Sequence, residues 1–406
     1  MAYLVYPGVT HRRFEHSLGV MHLAGELYDR LVAPARLSDT VRELVPEIGR
    51  TETLAYWRTV VRLAALCHDV GHLPFSHAGE HDLLPEGRSH ETLTKEVVQS
   101  GEIAQILERI DPPIHPRVVA KIAVGPKEWR ETPFSDWEAL LSDIITGDAF
   151  GVDRMDYLLR DSLHAGVRYG VFDHHRLIDT LRVIPEAPPD TQTDPHTTRA
   201  VIGIEEGGIH AAQSLILARY FMFTQVYFHH VRVAYDLHLI EFLLDWLGTH
   251  GYPVTVEGHL DITDNEVLSA IREKAAVPQD PAHRAAAAIW RRNHFRLLYS
   301  ETPGDREFNL APGRKVFEAA QEKYGADKVK IATGRITSGQ TSFSVLGSDG
   351  TVAAAASFSP TLVPDPTSYT YVLVDPDVAR ESRMWLSQAR KTILEGSTQL
   401  TRGRGL

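Results

Sequence analysis

Apolar positions recur three and four apart over much of the chain. From Phe14 to Leu31 they fall at Leu18, Met21, Ala24, Leu27, Tyr28 and Leu31, the spacing of one helix face. Trp57 to Cys67 is apolar nearly all round, which predicts a buried helix. Gly71 and Pro74 break that helix. Ser89, with Glu91 close behind, opens a helix running to Val98. Leu140 to Leu163 reads as a helix or a helix pair. Pro185 to Thr198 holds four prolines among Asp and Thr and reads as a loop or linker. A short strand over Ala200–Ile204, a long helix over Ala211–Leu247 and a further helix over His283–Leu298 follow. The period then changes. Lys328–Ile336, Thr341–Leu346, Thr351–Phe358 and Tyr369–Val374 are rich in β-branched and aromatic residues and read as strands, with Asp349-Gly350 as a hairpin turn. Asp375-Pro376 caps a last helix from Asp377 to Leu394. The tail from Gly396 has little to bury and is expected to be disordered. The pattern predicts a mainly α chain, with a helical core over 1–247, a smaller α+β C-terminal subdomain over 248–394 and a tail over 395–406.

Composition narrows the function. Of 406 residues, 42 are Lys or Arg and 53 Asp or Glu, a net charge of −11. Such a chain is poorly suited to stable nucleic-acid binding, which neutralises phosphates with basic surface. An anionic substrate needs a local cluster of cations or a metal. The one cysteine, Cys67, excludes an internal disulfide framework and a Cys-rich zinc module, and fits a cytoplasmic location. Within an apolar helix it reads as buried and inert. Met1–Pro7 is too short an apolar stretch for a signal peptide, and no run is long enough for a membrane span. Histidine is the unusual count, at 21, with eight in the first hundred residues.

The chemistry concentrates at Cys67-His68-Asp69-Val70-Gly71-His72. An apolar helix ends in adjacent His and Asp, and Gly71 then allows another backbone to approach closely. His plus carboxylate suits a divalent metal such as Mn, Mg, Fe, Ni or Zn. Two ligands are too few, so others must come from elsewhere. His16 lies on the first turns of an amphipathic helix. Asp153, Tyr157 and Asp161 share one helix face at i, i+4 and i+8, with Arg154 and Arg160 nearby. Each alone has an ordinary reading, His16 as a packing residue and the aspartates as a solvated face. Their ordered occurrence together changes that reading. His81, His174-His175 and His229-His230 read as surface or packing residues.

The ordered set His16, His68-Asp69 and Asp153 resembles the HD superfamily of metal-dependent phosphohydrolases. The flanking text is more specific. Tyr6-Pro7-Gly8, Arg13-Phe14-Glu15-His16-Ser17-Leu18-Gly19-Val20, His68 through His77, His90-Glu91 and Val152 through Tyr157 resemble the deoxynucleotide triphosphohydrolase branch. The resemblance covers about residues 3–245 and implies an HD-domain helical core. It also implies hydrolysis of deoxynucleoside triphosphates to deoxynucleoside and tripolyphosphate. The alternatives are another HD phosphohydrolase activity (nucleotide monophosphatase, phosphodiesterase or nuclease) or a catalytically silent nucleotide-binding regulator.

By the same resemblance, His16, His68, Asp69 and Asp153 are the expected metal ligands. His72 and His90 line the phosphate side, His77 donates a proton to the leaving oxygen, and Glu80 orients it. Arg13 touches the phosphates or the sugar edge, and Arg154 and Arg219 grip phosphate. Tyr157 and Asp161 sit against the deoxyribose, where Tyr157 leaves little room for a 2′-hydroxyl, and Tyr227 packs on the nucleoside. A homodimer or tetramer is the expected assembly. The family usually carries more residues ahead of Tyr6-Pro7-Gly8 than the five here, so its second-nucleotide regulation is not part of the expectation.

Overall fold

A computed structural model describes residues 1–76, 79–186, 198–335, 343–358 and 368–395. The N-terminal helices form as their periodicity predicts, over Arg13–Leu31 and Thr51–Cys67. The first is opened by Glu15, whose Oε2 accepts from the Arg12 N–H at 2.6 Å. Val20, Leu23, Ala24 and Leu27 of one meet Val60, Val61, Ala64 and Ala65 of the other in a continuous core. Each buried Val or Leu side chain there is worth roughly 1.5–3 kcal/mol. His90–Val98 begins after Ser89, whose hydroxyl caps the Thr92 N–H. Leu140–Leu163 resolves into a pair, Asp136–Thr146 and Val152–Ala165. The second lies against Arg13–Leu31, which brings residues some 140 positions apart into one site.

Two sheets follow. In spatial order the first joins β1 (Leu181–Glu186), β2 (Arg199–Glu205), β5 (Ser344–Leu346) and β6 (Val352–Ala354), and the second β3 (Arg296–Ser300), β7 (Ser368–Val374) and β4 (Val329–Arg335). Strand β1 (Leu181–Glu186) pairs antiparallel with β2 (Arg199–Glu205), placing Pro185 opposite Ala200. Here the expected linker is partly strand. Pro185 is tolerated because β1 lies at the edge and no partner needs its missing N–H. Residues 187–197 of that stretch lie outside the described residues.

Three further expectations change. The long helix over Ala211–Leu247 is interrupted. Ile209–Met222 passes into a π-helical turn at Phe223–Tyr227 before His230–Leu247 resumes. The helix from His283 stops at Trp290. Arg292 is left-handed at φ 55°, and Arg296–Ser300 is strand β3. Apolar residues there serve either structure, and pairing with β7 (Ser368–Val374) decides it. The last is the strand expected at Thr351–Phe358. It is β6 only over Val352–Ala354, and the small residues that follow wind into a helical turn, Ala355–Phe358.

The hairpin at Asp349-Gly350 joins β5 (Ser344–Leu346) to β6, and β5 runs parallel to β2. Phe343, Val345 and Ala355 thus join the core of the N-terminal helices, although they fall within the stretch 248–394. The remainder of that stretch builds the second sheet with β4 (Val329–Arg335), covered by Pro312–Tyr324 and Ala379–Glu395. Asp375 caps the short turn Pro376–Val378, and the last helix then starts at Ala379. The expected disordered tail lies outside the described residues. Among the described residues no helix is long and apolar enough to cross a membrane.

Candidate metal centre

Three segments meet at one point. Helix Arg13–Leu31 presents His16 in its first turns, the end of helix Thr51–Cys67 presents His68 and Asp69, and helix Val152–Ala165 presents Asp153. His16 Nε2 lies 3.0 Å from Asp153 Oδ1 and 3.7 Å from Asp69 Oδ2. His68 Nε2 lies 3.3 Å from Asp69 Oδ1 and 3.5 Å from Asp153 Oδ1. His16, His68 and Asp153 offer ligand atoms within 4.8 Å of one another.

Both imidazoles are held by their far nitrogen. His68 Nδ1 bonds the Ala65 carbonyl at 2.8 Å, and His16 Nδ1 bonds Asp156 Oδ2 at 2.7 Å. Each bond places the proton on Nδ1 and turns the Nε2 lone pair inward, as metal-ligating histidines require. Among the described residues, His68 Nε2 is buried and makes no hydrogen bond, a costly arrangement unless another group takes the lone pair. The donor set thus fits a divalent cation held by His16, His68, Asp69 and Asp153. Two imidazoles and two carboxylates suit a borderline-to-hard metal.

The electrostatics asks for positive charge at the same point. Burial lowers the His16 proton affinity, yet its bonds to Asp153 and Asp156 outweigh this and carry it up to about 10. Burial raises Asp153, yet His16 and His68 hold it well below the usual carboxylate range. Asp69 behaves alike, with burial opposed by His68, His72 and Arg13. A divalent cation supplies that charge without protonating the imidazoles.

Beside the centre stands a second group, His72, Glu80 and His90. The His72 and His90 rings stack at 3.8 Å. Glu80 Oε1 accepts from both His90 Nδ1 and its backbone N–H, at 2.7 and 2.8 Å. Burial lowers His90, but Glu80 and Glu91 reverse the shift and raise it. Burial pushes His72 down to about 3, despite its bond to Asp69. Gly71 permits this approach: a Cβ there would lie 2.1 Å from the Thr94 nitrogen and 2.3 Å from the His90 carbonyl. Thr94 Oγ1 accepts from the Gly71 N–H and donates to the His68 carbonyl. His77, the expected proton donor, lies outside the described residues. The chain leading to it is unusual, with Phe75 and Ser76 left-handed at φ 59° and 67°. Such conformations cost about 1–3 kcal/mol each and gather at functional sites. The Phe75 N–H donates to Asp264 and Ser76 Oγ accepts from Arg13.

The remaining expected residues line the helix Val152–Ala165 and its neighbours. Arg13 donates to Asp69 as well as to Ser76. Arg154 donates to the Asp148 carbonyl. Arg219 lies near both Arg154 and Tyr157, and burial together with the Arg154 charge lowers its proton affinity. Tyr157 is pushed up by burial, and its ring meets Tyr227 edge-on at 6.3 Å. Tyr227 donates to Asp161 Oδ2 at 2.7 Å, and His11 Nε2 lies 2.8 Å from Asp161 Oδ1.

The sequence reading missed Asp156 and His11. Asp156 bonds His16 and is itself gripped by Arg160 at 2.8 and 2.7 Å. Its position, one turn after Asp153 on the same helix, was the available signal. His11 had none, because its partner is 150 residues away.

The HD-domain family pattern matches residues 13–161, and the pattern described as the HD associated region matches residues 172–323. The crystal structure of a hypothetical protein from Aquifex aeolicus is 32% identical with a TM-score of 0.73, over 95% of this chain and 89% of that one. The chain belongs to the HD-domain phosphohydrolase family. A second structure, a phosphohydrolase of Bacteroides thetaiotaomicron, has a TM-score of 0.63 at 23% identity over 92% of this chain and 90% of that one, and shares the fold. Among curated relatives of this HD protein, the uncharacterized protein YwfO of Bacillus subtilis is 32% identical over 59% of this chain and 46% of its own length. The deoxynucleoside triphosphate triphosphohydrolase SAMHD1 of Homo sapiens is 32% identical over 45% of this chain and 30% of its own length. The HD chain spans less than half the length of these curated relatives.

Proposed function

We propose that this HD phosphohydrolase cleaves deoxynucleoside triphosphates to a deoxynucleoside and inorganic tripolyphosphate. One observation carries the reading: the helix Val152–Ala165 bears, in chain order, the metal-facing Asp153, the cation Arg154, the phenol Tyr157 and the carboxylate Asp161. That order matches the order of groups in the substrate, from phosphate to sugar. The similarity to the human triphosphohydrolase supports it.

A bound divalent metal supplies Lewis-acid polarisation of a phosphoryl oxygen and a more acidic water. The protein's own residues do the rest. Arg154 and Arg219, two half-buried guanidiniums close together, offset polyphosphate charge that a chain of net −11 otherwise repels. His72, kept neutral by burial, offers a lone pair near the reacting phosphate. His90, whose proton affinity Glu80 and Glu91 raise, lines the phosphate side next to it. Water attacks the α-phosphorus and the bond to the nucleoside 5′-oxygen breaks. That oxygen leaves as a hydroxyl after taking a proton, the role assigned to His77. Tyr157 closes the space beside the sugar C2′ and favours deoxyribose.

The test is product analysis. The protein is incubated with Mn or Mg and each of the four dNTPs and matching NTPs. Tripolyphosphate and deoxynucleoside are expected from the dNTPs. Orthophosphate as the only phosphorus product, or equal turnover of ribonucleotides, overturns the reading.

A further inference from the structure

Asp161 is held at both oxygens by groups from distant segments. Tyr227, in the π-helical turn Phe223–Tyr227, donates to Oδ2 at 2.7 Å. His11, in the segment before the first long helix, places Nε2 2.8 Å from Oδ1. A carboxylate with one donor can still turn about its last torsion, whereas one with a donor on each oxygen is fixed in plane and direction. Each carboxylate oxygen accepts two hydrogen bonds, so an acceptor position remains on each for a substrate hydroxyl.

The local structure is built to deliver the imidazole. Gly8 lets the chain run against the end of helix Val152–Ala165, where a Cβ would lie 2.5 Å from the His164 carbonyl oxygen. The His11 ring stacks on that of His164 at 4.3 Å. The His11 side chain is only 11% exposed, and its Nδ1 is buried without a hydrogen bond among the described residues. An apolar ring would fill that space without stranding a nitrogen. The bond to Asp161 is what this histidine provides.

We propose that His11 is a positioning residue that acts through Asp161. By fixing the carboxylate beside the sugar, it sets the preference for substrates bearing a 3′-hydroxyl. The inference rests on the proposed triphosphohydrolase activity.

The test compares kcat/KM for a dNTP and its 2′,3′-dideoxy counterpart in wild type, His11→Ala, His11→Gln and His11→Asn, with Mn present. Wild type prefers the 3′-hydroxylated substrate. His11→Ala loses about tenfold on the dNTP, the worth of one charge-assisted hydrogen bond, mostly through KM, and changes little on the dideoxy substrate. Gln sets its amide nitrogen close to the His Nε2 position and restores most of the preference. Asn is too short to reach and does not, so this pair carries the test even if the alanine variant fails to fold. Equal losses on both substrates, or equal behaviour of Gln and Asn, overturn the positioning role, as does a wild type that does not discriminate. A wild type that hydrolyses no dNTP overturns the proposed activity itself, and His11's role with it.

Discussion

Two clusters of histidine and carboxylate lie side by side here, and they hold protons in different ways. In the metal-facing cluster, burial and ion pairing oppose each other and ion pairing wins, so His16 is carried up to about 10 while Asp69 and Asp153 stay ionised. In its neighbour the two stacked rings diverge. His90 is raised by Glu80 and Glu91, while burial pushes His72 down to about 3. Histidine count alone does not separate these two clusters. The number of carboxylates within reach of each ring does.

The sharpest break of that contrast is Asp69→Asn. It removes charge from the cradle and is expected to lower turnover by about a thousandfold or more, the scale of a metal's charge stabilisation. Metal content measured by mass spectrometry should fall with it, and circular dichroism should stay unchanged. Retained activity excludes Asp69 as a ligand. The matching change next door, His90→Gln, should cost about a hundredfold in kcat while metal content stays at the wild-type level. Loss of metal there would merge the two clusters into one. Asp156→Asn weakens the bond that orients His16 and should reduce metal affinity about 10- to 100-fold, read by titration with a competing chelator. Unchanged affinity would make Asp156 a partner of Arg160 alone.

The smallest effect concerns a half-buried carboxylate outside both clusters. Asp143 is pushed up to about 6, first by burial and then by Asp148. Its folded proton affinity exceeds the unfolded one. Below pH ~3.8 both states are protonated and there is no penalty. As pH rises toward 6 the unfolded state ionises first, so stability falls through that window and stays reduced above it. Asp143→Asn should raise the Tm at pH 7 by a few degrees and flatten its dependence between pH 4 and 6. A lower Tm at pH 7 would show that the carboxylate is compensated after all.

Much of the candidate site was legible because its motifs are local. His68 and Asp69 end an apolar helix, and Asp153, Tyr157 and Asp161 share one face of another, so chain order alone carried them. Glu80 was read through its spacing from His77, whereas in the structure its carboxylate is engaged by His90. His11 and Asp156 went unseen because their bonds reach a distant Asp161 and a distant His16.

The fold divides the same way. Helix periodicity, the Ser89 cap and the Asp349-Gly350 turn are local chemistry, so the sequence by itself determined the mainly α class, the N-terminal helices and the β5–β6 hairpin. Only the tertiary structure decided that Leu297 and Leu298 lie in a strand, that Pro185 sits at a sheet edge, and that β5 returns to β2 across some 140 residues. An apolar residue satisfies a helix or a strand equally well until a partner surface arrives. The metal cradle is the extreme case. Its residue types are written in the chain, but the closeness that shifts their proton affinities exists only once the helices pack.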